Sequence, residues 1–156
     1  MAVHSAAIAW KRGEERFVDN RYSRRHEVAF DGGASQALSS SPHVVPVPYS
    51  DPVAVDPEEL FVASLASCHM LWFLSIAAKE GYCVDSYRDA AEGEMGMDAA
   101  GRMVMARVTL RPHCQFSGER LPSDEGFARL HAQAHHECFL ANSVRSEIRI
   151  EAVKYT

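Results

Sequence analysis

The chain has 156 residues, 47% of them hydrophobic and 24% charged, the composition of a folded domain with one real core. Its formal net charge of -5 is spread over interspersed acids and bases, so no long-range field draws nucleic acid or an acidic lipid surface toward it. The amino terminus has no cationic start followed by an apolar run, so no secretory signal is read there and a cytoplasmic location is expected.

One domain is expected over residues 1–156. Val3–Lys11 and His26–Phe30 read as two strands of a hairpin, joined by a charged connection containing Gly13, Asp19 and Asn20. From Asp31 to Val55, two glycines, three consecutive serines and four prolines exclude a helix or a central strand. This long loop carries Val44, Val45, Val47, Val53 and Val55, which suggests that it packs as a wall or lid.

A helix then begins at a clear signal. Asp56 suits the N-cap, Pro57 the first helical position, and Glu58 and Glu59 the positive end of the helix dipole; Gly81 ends the helix. Leu60–Ala78 contains no Asp, Glu, Lys or Arg, a length that nearly spans a bilayer. Ser64, Ser67, Cys68, His69 and Ser75 lie within it, and no other stretch is apolar enough to form a core, so it is expected as the central helix of a globular domain and not a membrane span.

Beyond it, Val84–Asp98 and Met103–Leu110 read as strands joined at Asp98–Gly101, the second alternating at period two. Ser123 or Asp124 caps a second helix running to about Cys138, and Val144–Val153 is the last strand. The order predicts an α+β domain with a mainly antiparallel sheet covered by two helices, the long one innermost.

Four cysteines without a CxxC pair argue against a zinc ribbon, a thioredoxin motif and, in a reducing compartment, a disulfide scaffold. Each is by default a small buried hydrophobe. Cys83 and Cys114 have no partner placed by any pattern, whereas Cys68 on the long helix and Cys138 at the end of the second can meet on one face of the sheet. Cys68 sits too deep in its helix to feel the amino-terminal dipole, so a reactive thiolate there needs a cation, and Arg21, Arg24 and Arg25 are the cluster on offer.

Three segments, YSRRHEVAFDGG (22–33), VDPEELFVASLASCHMLWFL (55–74) and AHHECFLANSV (134–144), make the chain resemble the OsmC/Ohr superfamily of organic hydroperoxide reductases, in its OsmC-like branch. The resemblance covers nearly the whole chain. It implies an OsmC-like fold in which the sheet wraps a buried central helix, and an intertwined homodimer with two active sites at the interface. Cys68 matches the peroxidatic cysteine, Cys138 the resolving cysteine, Glu58 the acid of the Pro-Glu motif, and Arg24 the active-site arginine, with Arg21 and Arg25 as its neighbours in the alignment. The sequence departs from the family at His69 and Phe139, where an apolar residue and a proline are common.

In the mechanism so implied, Arg24 stabilises the Cys68 thiolate and Glu58 holds the guanidinium through a bidentate pair. Glu58 lies ten residues before Cys68, about 15 Å along a continuous helix, so it acts through the arginine or from the paired subunit. The thiolate attacks an organic hydroperoxide, the sulfenic acid condenses with Cys138, and a dithiol of lipoyl type reduces the disulfide; no cofactor is needed. Phe61, Trp72, Phe73 and Phe139 are candidates for an apolar substrate wall, or for core filling. Two rival readings remain. His131, His135 and Cys138 share a helix face and, with Cys68, form a possible zinc set. The fold can also serve as a non-catalytic binding module.

Overall fold

The computed structural model describes residues 1–156, and the chain divides into two compact units, Met1–Leu60 and Phe61–Thr156. In the first unit, β1 (Ala6–Ala9), β2 (His26–Phe30) and β3 (Ser35–Leu38) form an antiparallel sheet in the order β1-β2-β3. The expected hairpin of the first two strands is present, with Ala6 opposite Phe30. Its first strand, Ala6–Ala9, is shorter than the expected Val3–Lys11.

The segment from Asp31, whose composition predicts a loop, begins instead with a turn into β3. Gly33, at φ 86°, turns the chain back so that Ser35–Leu38 completes the sheet. The rest of that segment is a chain of single turns, such as Val44 N to Ser41 O at 3.0 Å and Tyr49 N to Pro46 O at 3.0 Å. Buried Ser39 ties it together, its hydroxyl accepting from Asp51 N at 3.0 Å. With the backbone bonded inward through serines, Val44, Val47 and Val53 point to solvent, so these valines are not a packed wall.

The long helix α1 (Pro57–Lys79) starts as expected. Asp56 Oδ1 accepts from Glu59 N at 2.7 Å while Glu59 Oε2 accepts from Asp56 N at 2.9 Å, a reciprocal capping box. Gly81 closes the other end in the left-handed region, φ 79°, with Tyr82 N bonded to Ala77 O at 2.9 Å. Within the chain, α1 is fully buried only along Leu65, His69, Phe73 and Ala77, a stripe at every fourth residue. The rest of its apolar surface is partly or wholly open, Leu71 by 60%.

The second unit has six further strands: β4 (Cys83–Asp89), β5 (Glu92–Met97), β6 (Met103–Leu110), β7 (Pro112–Ser117), β8 (Glu147–Ile150) and β9 (Val153–Tyr155). They form two sheets, β4-β7-β9 and β5-β6-β8; β4–β7 and β5–β6 are antiparallel, and β8 and β9 run parallel to their neighbours. The two segments expected as single strands, 84–98 and 144–153, are each broken in two, and β7 is an additional strand.

All three breaks fall at one level and have one physical cause. The chain bends at Ala90–Ala91, at Arg111 and at Glu151–Ala152, and Arg111 clasps the bend. Its N–H donates to Asp89 Oδ1 at 2.7 Å, and its guanidinium reaches Glu92 at 2.8 Å and Glu151 at 3.0 Å. Glu151 N returns to Leu110 O at 2.9 Å. No residue-by-residue hydrophobic pattern encodes such a corner, because alternation resumes on either side of it.

The bend lets α1 pack on both halves. Near its start, Leu65 joins Val108 and Leu110 with Phe61, Val62, Ile148 and Ile150; further on, Phe73 and Ala77 join Cys114, Phe116 and the second helix α2 (Asp124–Glu137) through Phe127, Leu130 and Ala134. Ser123 caps α2, its Oγ accepting from Gly126 N at 3.0 Å. Gly93 of β5 lies close against α1: a Cβ there would lie 2.6 Å from Val62 Cγ2 and 2.6 Å from Met105 Sδ.

Candidate functional site: a thiol pair backed by buried histidines

Cys68 lies at the middle of α1 and Cys138 is the residue that ends α2. The packing of α2 on α1 brings their sulfurs to 2.7 Å, with the Cys138 thiol donating toward Cys68. A disulfide is about 2.05 Å long, so closure needs less than an ångström of further approach. The two expected redox residues are therefore brought together.

They are not equivalent. Cys138 is 1% exposed, and burial first, then its hydrogen bond to Cys68, pushes its thiol up to about 11. Cys68 is only partly buried. A reagent from solvent meets Cys68 first, while Cys138 waits behind it as a protonated thiol. The backbone around Cys138 is held in place: its N–H bonds Ala134 O at 3.0 Å, its carbonyl accepts from Asn142 N at 3.0 Å, and Ala141 N points at its sulfur at 3.4 Å. Beyond Cys138 the chain turns through a 3₁₀ turn over Ala141–Ser143.

Phe61, Cys68 and Trp72 are seven and four residues apart, which places them on one face of α1. Trp72 meets Phe139 edge-on, centroids 5.5 Å apart, and Phe139 is 69% exposed. Phe61 is partly buried against the Leu65, Val108 and Leu110 cluster, whereas Phe73 is wholly buried and fills core.

In the amino-terminal unit, Arg24 folds back over its own loop. Its guanidinium bonds Asn20 O at 2.9 Å, Asn20 Oδ1 at 2.8 Å and Tyr22 O, and lies 3.7 Å over the Tyr22 ring. Glu58 is half-buried in the first turn of α1. The bidentate pair expected between them is not formed within the single chain, where the guanidinium is bonded to Asn20 and Tyr22 instead. Arg25 is ion-paired with Asp51, which leaves Arg24 as the arginine not bound to a carboxylate in that pair.

The zinc set does not assemble. His131 turns away from Cys138, its Nδ1 hydrogen-bonded to His69 Nε2 at 2.9 Å and its Nε2 4.0 Å from Cys114 Sγ. No three His, Cys, Asp or Glu side chains converge as a metal site. This His69–His131–Cys114 array is the part of the site that the sequence did not announce. Its signal was His69 itself, a polar ring in the uncharged stretch and one of the two departures from the family. Burial holds both rings neutral, His69 pushed down to about 4 and His131 to about 3, and it pushes Cys114 up to about 12, an inert thiol. Cys83 is exposed beside Asp85 and Ser117.

A two-unit α+β chain with a paired, unequally buried dithiol at the junction of its two helices is the class defined so far. Its relatives narrow the class. A family model described as OsmC-like protein matches residues 50–153, and the chain belongs to that family. A solved OsmC-like protein of unknown function from Vibrio cholerae is 51% identical, covering 98% of this chain and 100% of its own, with a TM-score of 0.96. Two more distant structures share the fold: an organic hydroperoxide resistance protein OsmC from Legionella pneumophila (16% identity, 100% and 98% covered, TM-score 0.66) and the organic hydroperoxide resistance protein OhrB of Bacillus subtilis (15%, 99% and 98%, 0.64). Among curated proteins none matches the chain.

Proposed function

We propose that this chain is a thiol-dependent reductase of organic hydroperoxides. Membership of the OsmC-like family and a fold shared with organic hydroperoxide resistance proteins support a redox or peroxide-stress role. The observation that carries the finer reading is the sulfur pair: 2.7 Å apart, one thiol buried and the other reachable. The Cys68 thiolate attacks the peroxide, the O–O bond breaks, and an alcohol leaves with a proton, giving the sulfenic acid. Cys138 then displaces the hydroxyl as water, and an external dithiol, such as a lipoyl group, restores both thiols by two exchanges. Trp72 and Phe139 favour an apolar hydroperoxide over hydrogen peroxide, because a water-like substrate gains nothing from apolar walls.

In this reading Arg24 stabilises the thiolate and Glu58 orients the arginine, and both do so in a homodimer with its sites at the subunit interface. The open apolar face of α1 supports such pairing, Leu71 being 60% exposed. The protein works in the cytoplasm, where thiol reductants are plentiful. The test is consumption of cumene hydroperoxide with dihydrolipoamide as reductant. Cys68→Ser abolishes turnover, and Cys138→Ser is oxidised once and then stalls. Full turnover by Cys68→Ser ends the proposal.

A further inference from the structure

Four of the chain's six methionines stand together toward the tip of one hairpin, as two Met-x-Met repeats: Met95 and Met97 of β5, Met103 and Met105 of β6. Met95 pairs with Met105 and Met97 with Met103, so the four side chains rise from one face of the ribbon as the corners of a quadrilateral. A register shift between Glu94 and Met95 leaves Ala106 without a partner and brings that face into line with Gly93 and Val108. It is the face turned to α1. Met105 packs on the Leu65, Val108 and Leu110 cluster, and a Cβ on Gly93 would meet both Met105 Sδ and Val62. The other three corners are open, with Met95, Met97 and Met103 exposed by 48%, 66% and 58%.

The hairpin keeps this quadrilateral in shape and its carboxylates out of it. Asp98 closes the turn: its Oδ1 accepts from Ala100 N and Arg102 N, each at 2.9 Å, and its Oδ2 from Arg102 Nε at 2.9 Å and Nη2 at 2.7 Å. Glu94, on the opposite face, is ion-paired with Arg107 at 2.9 Å. The donors that the open face offers are therefore thioether sulfurs. Opposed Cβ atoms lie about 5 Å apart and alternate ones along a strand about 7 Å, so each corner is about 4 Å from the centre. Two bonds of side chain and one metal–sulfur bond span that distance, and the unbranched methionine arm turns freely enough to find it. Apolar cover alone would be served by any aliphatic side chain; sulfur at all four corners suits a soft cation.

We propose that Met95, Met97, Met103 and Met105 form a binding site for a soft monovalent cation, copper(I). Thioethers are neutral, polarisable donors that select copper(I) over magnesium, calcium and other cations that prefer oxygen ligands. Met95, Met97 and Met103 supply the three open sulfurs, and Met105 the fourth from the partly buried side. Binding exchanges the ion's previous ligands for thioethers, with no change of oxidation state. The site uses neither Cys68 nor Cys138 and stands whether or not the thiol pair reduces peroxides.

The test uses the full chain in a Cys68→Ser/Cys83→Ser/Cys138→Ser background, because thiolates also take copper(I); Cys114 is wholly buried. Carbon-13-labelled methionine methyl groups are followed by NMR as silver(I), a redox-inert stand-in, is added. Copper(I) affinity is measured anaerobically by competition with bathocuproine disulfonate. The methyl resonances of Met95, Met97, Met103 and Met105, assigned through single Met→Leu variants, are expected to shift together and saturate at one equivalent, while Met1 and Met70 stay in place. Magnesium(II) is expected to move none of them. Met97→Leu and Met103→Leu keep the apolar volume and are each expected to weaken copper(I) binding about a hundredfold with an unchanged thermal midpoint. Should the serine background fail to fold, the same titration of the unmutated chain decides: the thiols fill first, and the same four methyls shift with the next equivalent. Unmoved methyls in that quadrilateral, or copper(I) affinity unchanged in both variants, overturns the proposal.

Discussion

Acid should unfold this protein through two rings. His69 and His131 ionise near 6.5 in an unfolded chain and are pushed down to about 4 and about 3 in the fold, chiefly by burial. A base with a depressed folded pKa contributes its full stability above its unfolded pKa and loses it as pH falls toward the folded value, because only the unfolded chain takes up the proton. Each such ring costs about 1.4 kcal/mol per pH unit below the unfolded pKa. From pH 6.5 to pH 5 both rings lie above their folded values, so the loss is about 2 kcal/mol for each and about 4 kcal/mol for the pair. Urea unfolding at pH 7 and pH 5, in the native chain and in a His69→Gln/His131→Gln double variant, isolates that difference from the carboxylates that titrate in both. The native chain should lose about 4 kcal/mol more than the variant. Equal losses would mean that the rings are solvated and the buried array is wrong.

Two further outcomes follow from the packing. Gly93→Ala places a Cβ 2.6 Å from both Val62 and Met105 and should destabilise the fold by about 1–3 kcal/mol, read as a lowered thermal midpoint; an unchanged midpoint would deny the close approach of α1 to β5. Leu71→Asp puts a charge on the open face of α1, 60% exposed in the single chain, and should convert a dimer into a folded monomer in sedimentation equilibrium. A native chain that sediments as a monomer at all concentrations removes the homodimer from the account.

The sequence was legible where local chemistry decides and silent where tertiary geometry does. Asp56, Pro57 and Gly81 announced both ends of α1, and Ser123 the start of α2, because caps are satisfied by neighbours in the chain. The breaks in 84–98 and 144–153 were hidden, since a corner held by Arg111 depends on Asp89, Glu92 and Glu151, residues far apart in sequence. Meeting of Cys68 and Cys138 was readable from two helices on one sheet face. The His69–His131 pair was not: His131 and His135 share a helical face, which suggested a common ligand, and only the position of His69 opposite His131 draws that ring away. Arg24 and Glu58 were named by resemblance, and the single chain leaves the guanidinium on Asn20 and Tyr22.

The most direct measurement is peptide-level mass spectrometry of the chain after one equivalent of an organic hydroperoxide, with free thiols blocked at quench. A single cross-link between the peptides of Cys68 and Cys138, preceded by dimedone-reactive Cys68, is the expected product. Recovery of both residues as unmodified thiols, or oxidation confined to exposed Cys83, would contradict the claim that this sulfur pair reduces peroxides.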